Sequence, residues 1–200
     1  TIAKANLWMR FASKILIKVG EFKATTFDQL FEGAKALDWG SWITEDGKFT
    51  VTGKSVKSTL FSVPDCQAIV KKAVVEKLKQ KYHVSWFDET GADYTIQVAL
   101  LNDIATLTID TSGGGLHKRG YRETAMVAPL KETLAAAMVD LSYWNKSRIL
   151  LDPMCGSGTI PIEAALIARN IAPGLNRKFA SEGWARIDSG IWKQARIDAY

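Results

Sequence analysis

The chain has 200 residues, 47% of them hydrophobic and 24% charged, which suits one or two domains with real cores. No apolar run approaches the ~20 residues of a membrane helix, so a membrane-spanning protein and a membrane partner are excluded. A net charge of +5 and a pI of about 9.1 give a modest basic bias, compatible with a nucleic-acid partner. The two cysteines, Cys66 and Cys155, have no CxxC partner and no nearby His pair. They point to reduced thiols in a cytoplasmic protein, with no disulfide frame and no metal site. The start, Thr1-Ile2-Ala3-Lys4, lacks both Met and a signal-peptide core, so the chain is expected to begin inside a longer one.

Residues 3–10 suit a short helix, and Ile15, Ile17 and Val19 alternate through residues 14–19 as in a strand. Thr26 with Gln29 forms a capping box for a helix whose face is Phe27, Leu30, Phe31, Ala34 and Leu37. Residues 48–53 read as a strand, followed by a loop cluster of Lys54, Ser55, Lys57 and Ser58. Ser62, Pro64 and Asp65 start a second helix with Cys66, Ile69, Val70, Ala73, Val74 and Leu78 on its apolar face. Tyr94, Ile96, Val98 and Leu100 alternate in a strand, Asn102-Asp103 turns, and residues 104–110 return as a hairpin. The run Thr111-Ser112-Gly113-Gly114-Gly115 marks a domain boundary. Pro129 opens a helix with the stripe Leu130, Leu134, Met138 and Leu141. Residues 172–200 are mixed and carry Trp184 and Trp192.

The stretch most suggestive of chemistry begins at Ile149-Leu150-Leu151, which predicts a strand ending in Asp152. A glycine turn and a helical run over 160–171 follow, as in the first strand–turn–helix unit of an α/β cofactor-binding domain. No Lys follows Gly158, which excludes a phosphate-binding P-loop, and Pro161 stands where a dinucleotide fingerprint needs its third glycine. An acid just before the loop opposes phosphate and suits a cationic, hydroxyl-bearing ligand. S-adenosylmethionine, with its sulfonium, ammonium and ribose hydroxyls, is the expected cofactor. The candidate contacts are Asp152 for the amino-acid end and Gly156 and Gly158 for close approach, with Pro153, Cys155 and Ser157 completing the loop. Thr159 is the candidate helix cap, and Glu163, one turn in, either faces the ligand or favours the helix N-terminus. The competing reading is a tight turn with no ligand. Cys155 has no general base near it and is read as shaping the loop.

The candidate RNA contacts are Lys118, Arg119 and Arg122 around Tyr121, whose ring can stack on a base, and Lys54 with Lys57. A solvated surface is the alternative for each group. His83 and His117 have no partner that suggests a triad or a metal site.

The residues from Asp152 to Ala165, D-P-M-C-G-S-G-T-I-P-I-E-A-A, resemble motif I of the THUMP-domain RNA guanine-N2 methyltransferases. Residues 52–58 (T-G-K-S-V-K-S) and 61–67 (F-S-V-P-D-C-Q) resemble the THUMP part, and Asp110–Gly113 with residues 116–122 resemble the junction. The matches occur in family order over nearly the whole chain and look closest to the bacterial large-subunit ribosomal RNA branch. The resemblance implies an α/β (α+β) chain: a THUMP RNA-binding domain with a ferredoxin-like remnant over residues 1–111, a basic hinge over 112–128, and the start of a Rossmann-like methyltransferase domain over 129–200. It implies methyl transfer from S-adenosylmethionine to the exocyclic N2 of guanine, with the base flipped out of its stack. The family's Asn/Asp-Pro-Pro-Tyr-type motif is not in the sequence, so the catalytic residues are expected beyond Tyr200 and none is assigned here. Ribosomal RNA is the first expectation for the partner. Transfer RNA, or an RNA-binding adaptor without activity, is the alternative.

Overall fold

A computed structural model describes residues 1–122 and 130–199. Its centre is a four-stranded sheet in the order β1-β4-β3-β2, made of β1 (Leu16–Lys23), β2 (Lys48–Val56), β3 (Asp93–Leu101) and β4 (Ile104–Asp110). β2 and β3 run parallel, joined by a long helix; β3–β4 and β4–β1 are antiparallel. The turn between β3 and β4 has two residues, Asn102 and Asp103, both left-handed at φ 50° and 62°. That matches the hairpin geometry Asn and Asp tolerate best after Gly.

The period-2 pattern of β3 buries Tyr94, Ile96, Val98 and Leu100 on one face. Helices α2 (Phe27–Ala36) and α3 (Val63–Tyr82) join this core through Leu30 and Ala34 and through Cys66, Val70, Ala73, Val74 and Leu78. Cys66 is thus a core residue, and burial pushes its thiol up. The capping box is displaced by one residue. The Gln29 amide N–H donates to Thr26 Oγ1 at 3.2 Å, but the Gln29 side chain accepts from Thr25 instead. α3 ends on His83 in the left-handed conformation, with Lys79 and Lys81 in its last turn, where cations complement the exposed carbonyls.

Two strands run longer than the alternation predicted. β1 continues to Lys23 because a bulge at Val19 restores the register, with Lys18 opposite Thr108 and Gly20 opposite Leu107. β2 continues to Val56, so Lys54 is a strand residue and not part of the following loop.

α1 (Ile2–Trp8) is covered by residues from the far end of the chain. Leu7 and Ala3 pack with Leu116, Phe179 and Trp192, the last from α6 (Ser189–Ile197). The Gly174 amide N–H donates to the Leu7 carbonyl at 2.9 Å. Trp184 reaches the sheet: its indole N–H donates to the Asp93 carbonyl at 3.2 Å, and its ring stacks on Tyr94 with centroids 4.9 Å apart. A polar seam of Asn6, Thr111, Ser112 and Ser181 lies between these layers, every member buried and hydrogen-bonded.

α4 (Glu132–Leu141) and α5 (Thr159–Ala168) pack on each other. The expected stripe of α4 is corrected here. Ala135, Ala136 and Val139 are buried, whereas Leu134, Met138 and Leu141 are exposed. Small side chains let two helix axes approach, so the Ala face makes the contact and the larger residues are left outside. The expected start at Pro129 lies outside the described residues. No helix among the described residues is long and apolar enough to cross a membrane.

Candidate functional site

The glycine loop connects α4 to α5. Gly156 and Gly158 both adopt left-handed backbone, at φ 52° and 73°. A Cβ built on Gly156 meets nothing within 4 Å, so its requirement is conformational and the space beside it is open. The Gly158 amide N–H donates to the Cys155 carbonyl at 2.8 Å, and the Met154 amide N–H donates to Asp152 Oδ1 at 3.2 Å. Pro153, Cys155 and Ser157 are exposed, and Asp152 is half-buried. α5 begins on Gly158 with no side-chain cap, so its first-turn N–H groups have no capping oxygen. Free amides, an adjacent carboxylate and the exposed hydroxyl of Ser157, 3.2 Å from Thr159 Oγ1, form a set of polar groups that fits a ligand combining a cation with hydroxyls. The Cys155 thiol donates to the Gly156 carbonyl at 3.9 Å.

Three expectations for this stretch need correction. Ile149–Leu151 forms no strand; a strand needs a neighbour to pair with, and no described segment offers one, so Ile149 and Leu151 are 96% and 85% exposed. Thr159 is not the cap but the first helical residue, and its Oγ1 accepts from Arg122 Nη2 at 2.7 Å. Glu163 does not face the open loop. It is fully buried, 3.5 Å from Arg119 Nε, and accepts from the Tyr121 hydroxyl at 3.0 Å. Burial pushes its carboxyl above the ordinary range, against the opposing pull of Arg119, and burial likewise drives the Tyr121 phenol upward.

The basic segment is also different from its reading as a phosphate strip. Lys118 alone of its cations is exposed. Arg119 is 3% exposed and donates to the Leu116 and Arg10 carbonyls at 2.9 and 2.5 Å. It is therefore a structural cation, unavailable to a phosphate. Arg122 pairs with Glu132 at 3.2 Å and donates to the Leu130 carbonyl at 3.2 Å as well as to Thr159. His117 is half-buried, and burial holds its imidazole below its usual value. Arg177, which no sequence pattern marks, holds the glycine-rich segment after β4 by donating to the carbonyls of Gly114, Gly115 and Lys118 at 2.6, 2.6 and 3.1 Å. Its partners are backbone groups some sixty positions away, which side-chain pattern does not reveal. Glu132 does carry a signal: it is an acid that opens an Ala-rich helix after a cluster of cations.

On the sheet unit, Lys54 and Lys57 are both exposed. Lys57 sits in left-handed backbone, and the loop after it is tied to the β3–β4 turn: the Thr59 amide N–H donates to Asp103 Oδ1 at 2.6 Å. These lysines stand apart from the glycine loop in the sequence and share no contact with it. Among the described residues no cluster of His, Cys, Asp or Glu suits a metal ion.

Residues 24–110 match the sequence family of the THUMP domain, and residues 119–199 match the RMKL-like methyltransferase domain. The chain joins a THUMP domain to an RMKL-like methyltransferase domain. It is 58% identical over 199 residues to a candidate RNA methyltransferase, YpsC of Bacillus subtilis, covering 98% of this chain and 52% of that protein. A structure from Listeria monocytogenes, described as a predicted N6-adenine-specific DNA methylase, superposes with a TM-score of 0.96 at 58% identity, covering 99% of this chain and 52% of that one. SMU.472, a candidate methyltransferase solved in complex with SAH, gives a TM-score of 0.93 at 48% identity over 99% of this chain and 53% of its own. The chain thus spans about half the length of the relatives it matches.

Proposed function

We propose that the chain is the RNA-binding and cofactor-loop portion of an S-adenosylmethionine-dependent RNA methyltransferase. The observation that carries this is the loop from Asp152 to Thr159, with two left-handed glycines opening α5, on a chain that also holds a THUMP domain. The cofactor supplies an electrophilic methyl group. Around it, Gly156 and Gly158 bring backbone to the ligand, Asp152 meets its cationic end, Ser157 offers a hydroxyl, Thr159 anchors the end of the loop, and Pro153 and Cys155 hold the turn. The SMU.472 complex with SAH supports this choice of ligand. The two acceptors named for the relatives differ, an RNA and a DNA adenine. The THUMP domain favours RNA, and the motif resemblance favours guanine N2 in large-subunit ribosomal RNA over transfer RNA. Lys54, Lys57 and Lys118 are the exposed cations we assign to phosphate, with the protein working in the cytoplasm.

The test uses the full-length protein with RNA from a strain lacking its gene and a labelled methyl donor. The expected result is one modified guanine in large-subunit ribosomal RNA. Label in transfer RNA would move the substrate, and label only in DNA adenine would overturn the reading. Combining Lys54→Ala, Lys57→Ala and Lys118→Ala should lower the slope of log affinity against log salt by about 0.7–0.9 for each phosphate that is no longer neutralised.

A further inference from the structure

The segment Arg119-Gly120-Tyr121-Arg122 is basic and aromatic, yet its functional groups turn towards the cofactor-loop helix. Arg122 reaches three groups. Its Nε lies 3.2 Å from Glu132 Oε1, and its Nη2 donates to the Leu130 carbonyl at 3.2 Å and to Thr159 Oγ1 at 2.7 Å. Thr159 is buried and follows Gly158 directly, so this guanidinium grips the fixed end of the glycine loop and the start of α4 together. One residue back, the Tyr121 hydroxyl donates to Glu163 at 3.0 Å, one turn further along α5. Glu163 in turn meets Arg119, which donates to the carbonyls of Arg10 and Leu116 beside the α1 layer.

The loop has few restraints of its own. From Pro153 to Ser157 every residue is exposed, and within the loop the backbone is held by Gly158 to Cys155 and Met154 to Asp152. Its position is therefore set at Thr159 and Glu163, the two α5 residues gripped from the segment that leaves the THUMP domain. We propose that Tyr121 and Arg122 are positioning residues, which register the cofactor loop against the RNA-binding unit and do not touch phosphate. This rests on the function proposed above.

The experiment takes the full-length protein and its Tyr121→Phe, Arg122→Gln and Arg122→Lys variants. It measures S-adenosylmethionine binding by calorimetry, affinity for a large-subunit ribosomal RNA transcript across a salt series, and kcat and KM separately. Removing a charge-assisted bond predicts about tenfold weaker cofactor binding for Arg122→Gln. Its RNA affinity and salt slope stay within about twofold, because counterion release is unchanged. Arg122→Lys should not restore cofactor binding, because one ammonium cannot reproduce the planar fork that spans Glu132, Leu130 and Thr159. A phosphate-binding arginine would behave oppositely, with lysine restoring RNA affinity. Tyr121→Phe removes a single oxygen and should weaken cofactor binding by about threefold. It carries the test alone if the Arg122 variants fail to fold.

A reduced salt slope with unchanged cofactor binding overturns the proposal, as does cofactor binding equal to wild type in all three variants. Wild-type protein that binds no S-adenosylmethionine at millimolar concentration overturns the function itself, a result distinct from either.

Discussion

The sheet unit over residues 16–110 and the loop segment over 142–158 are both rich in apolar side chains, but the structure treats them differently. In the sheet, Ile96, Val98, Leu100, Leu107 and Ile109 are fully enclosed, and the strands exchange their hydrogen bonds with neighbours. In the loop segment, Ile149, Leu151 and Met154 lie open to water. Apolar patterning states which residues gain from burial, but an extended segment is buried only where another backbone can accept its N–H and C=O groups. The Ile149–Leu151 run is left without such a neighbour among the described residues, in a chain that spans about half the length of its relatives.

That contrast can be broken or sharpened by substitution. The largest effect is expected at Trp184, which carries the tail into the sheet core; Trp184→Ala should cost about 3–5 kcal/mol in urea unfolding. A loss below about 1 kcal/mol would show that the sheet holds together without the tail. Arg119→Ala removes a buried guanidinium, leaves the Leu116 and Arg10 carbonyls without their partner and leaves Glu163 with the Tyr121 hydroxyl but without its paired cation. Breaking such a buried pair should cost about 3–5 kcal/mol by the same measurement.

A smaller effect concerns pH. Burial raises the Glu163 carboxyl in the folded state, so folding favours its protonated form. Stability should rise as pH falls from the raised value towards the ordinary carboxylate range, by up to about 1.4 kcal/mol for each pH unit the shift spans. Below that range Glu21 and Glu76, held low by hydrogen bonds from Lys18 and Lys35, act in the opposite sense. Unfolding midpoints across a pH series should therefore lose the first slope in Glu163→Gln, and an unchanged slope would assign it to another group. The smallest effect belongs to the exposed strap, where Leu151→Ser should change the stability of the 200-residue chain by less than about 0.5 kcal/mol. A loss of about 2 kcal/mol there would mean that the segment is buried in solution.

The elements governed by local pattern were legible in the sequence. The alternation of β3, the two-residue turn at Asn102-Asp103 and the buried face of α3 follow directly from period and turn chemistry. The glycine loop was legible for the same reason, because left-handed backbone at Gly156 and Gly158 is a local demand. What was not legible depends on distant partners. Arg119 and Lys118 are adjacent cations, yet one is interior and the other exposed, and the difference lies in the carbonyls of Leu116 and Arg10. The stripe on α4 misled because two apolar faces compete on that helix, and the smaller side chains fit against α5. Trp184 gave no hint that it would stack on Tyr94, ninety residues earlier.

The covering of α1 by Phe179 and Trp192 has a consequence for biosynthesis. A ribosome adding about 5–20 residues per second makes Leu7 roughly 10–40 seconds before those rings exist. During that interval the strands and α3 pair among themselves and lack their late contact with Trp184, while α1 lacks Phe179 and Trp192, two of the large residues that enclose it. Helix α1 thus finds its place only after the residues around 179–192 have been made, and over that window it presents an apolar stripe to whatever chaperone waits at the exit.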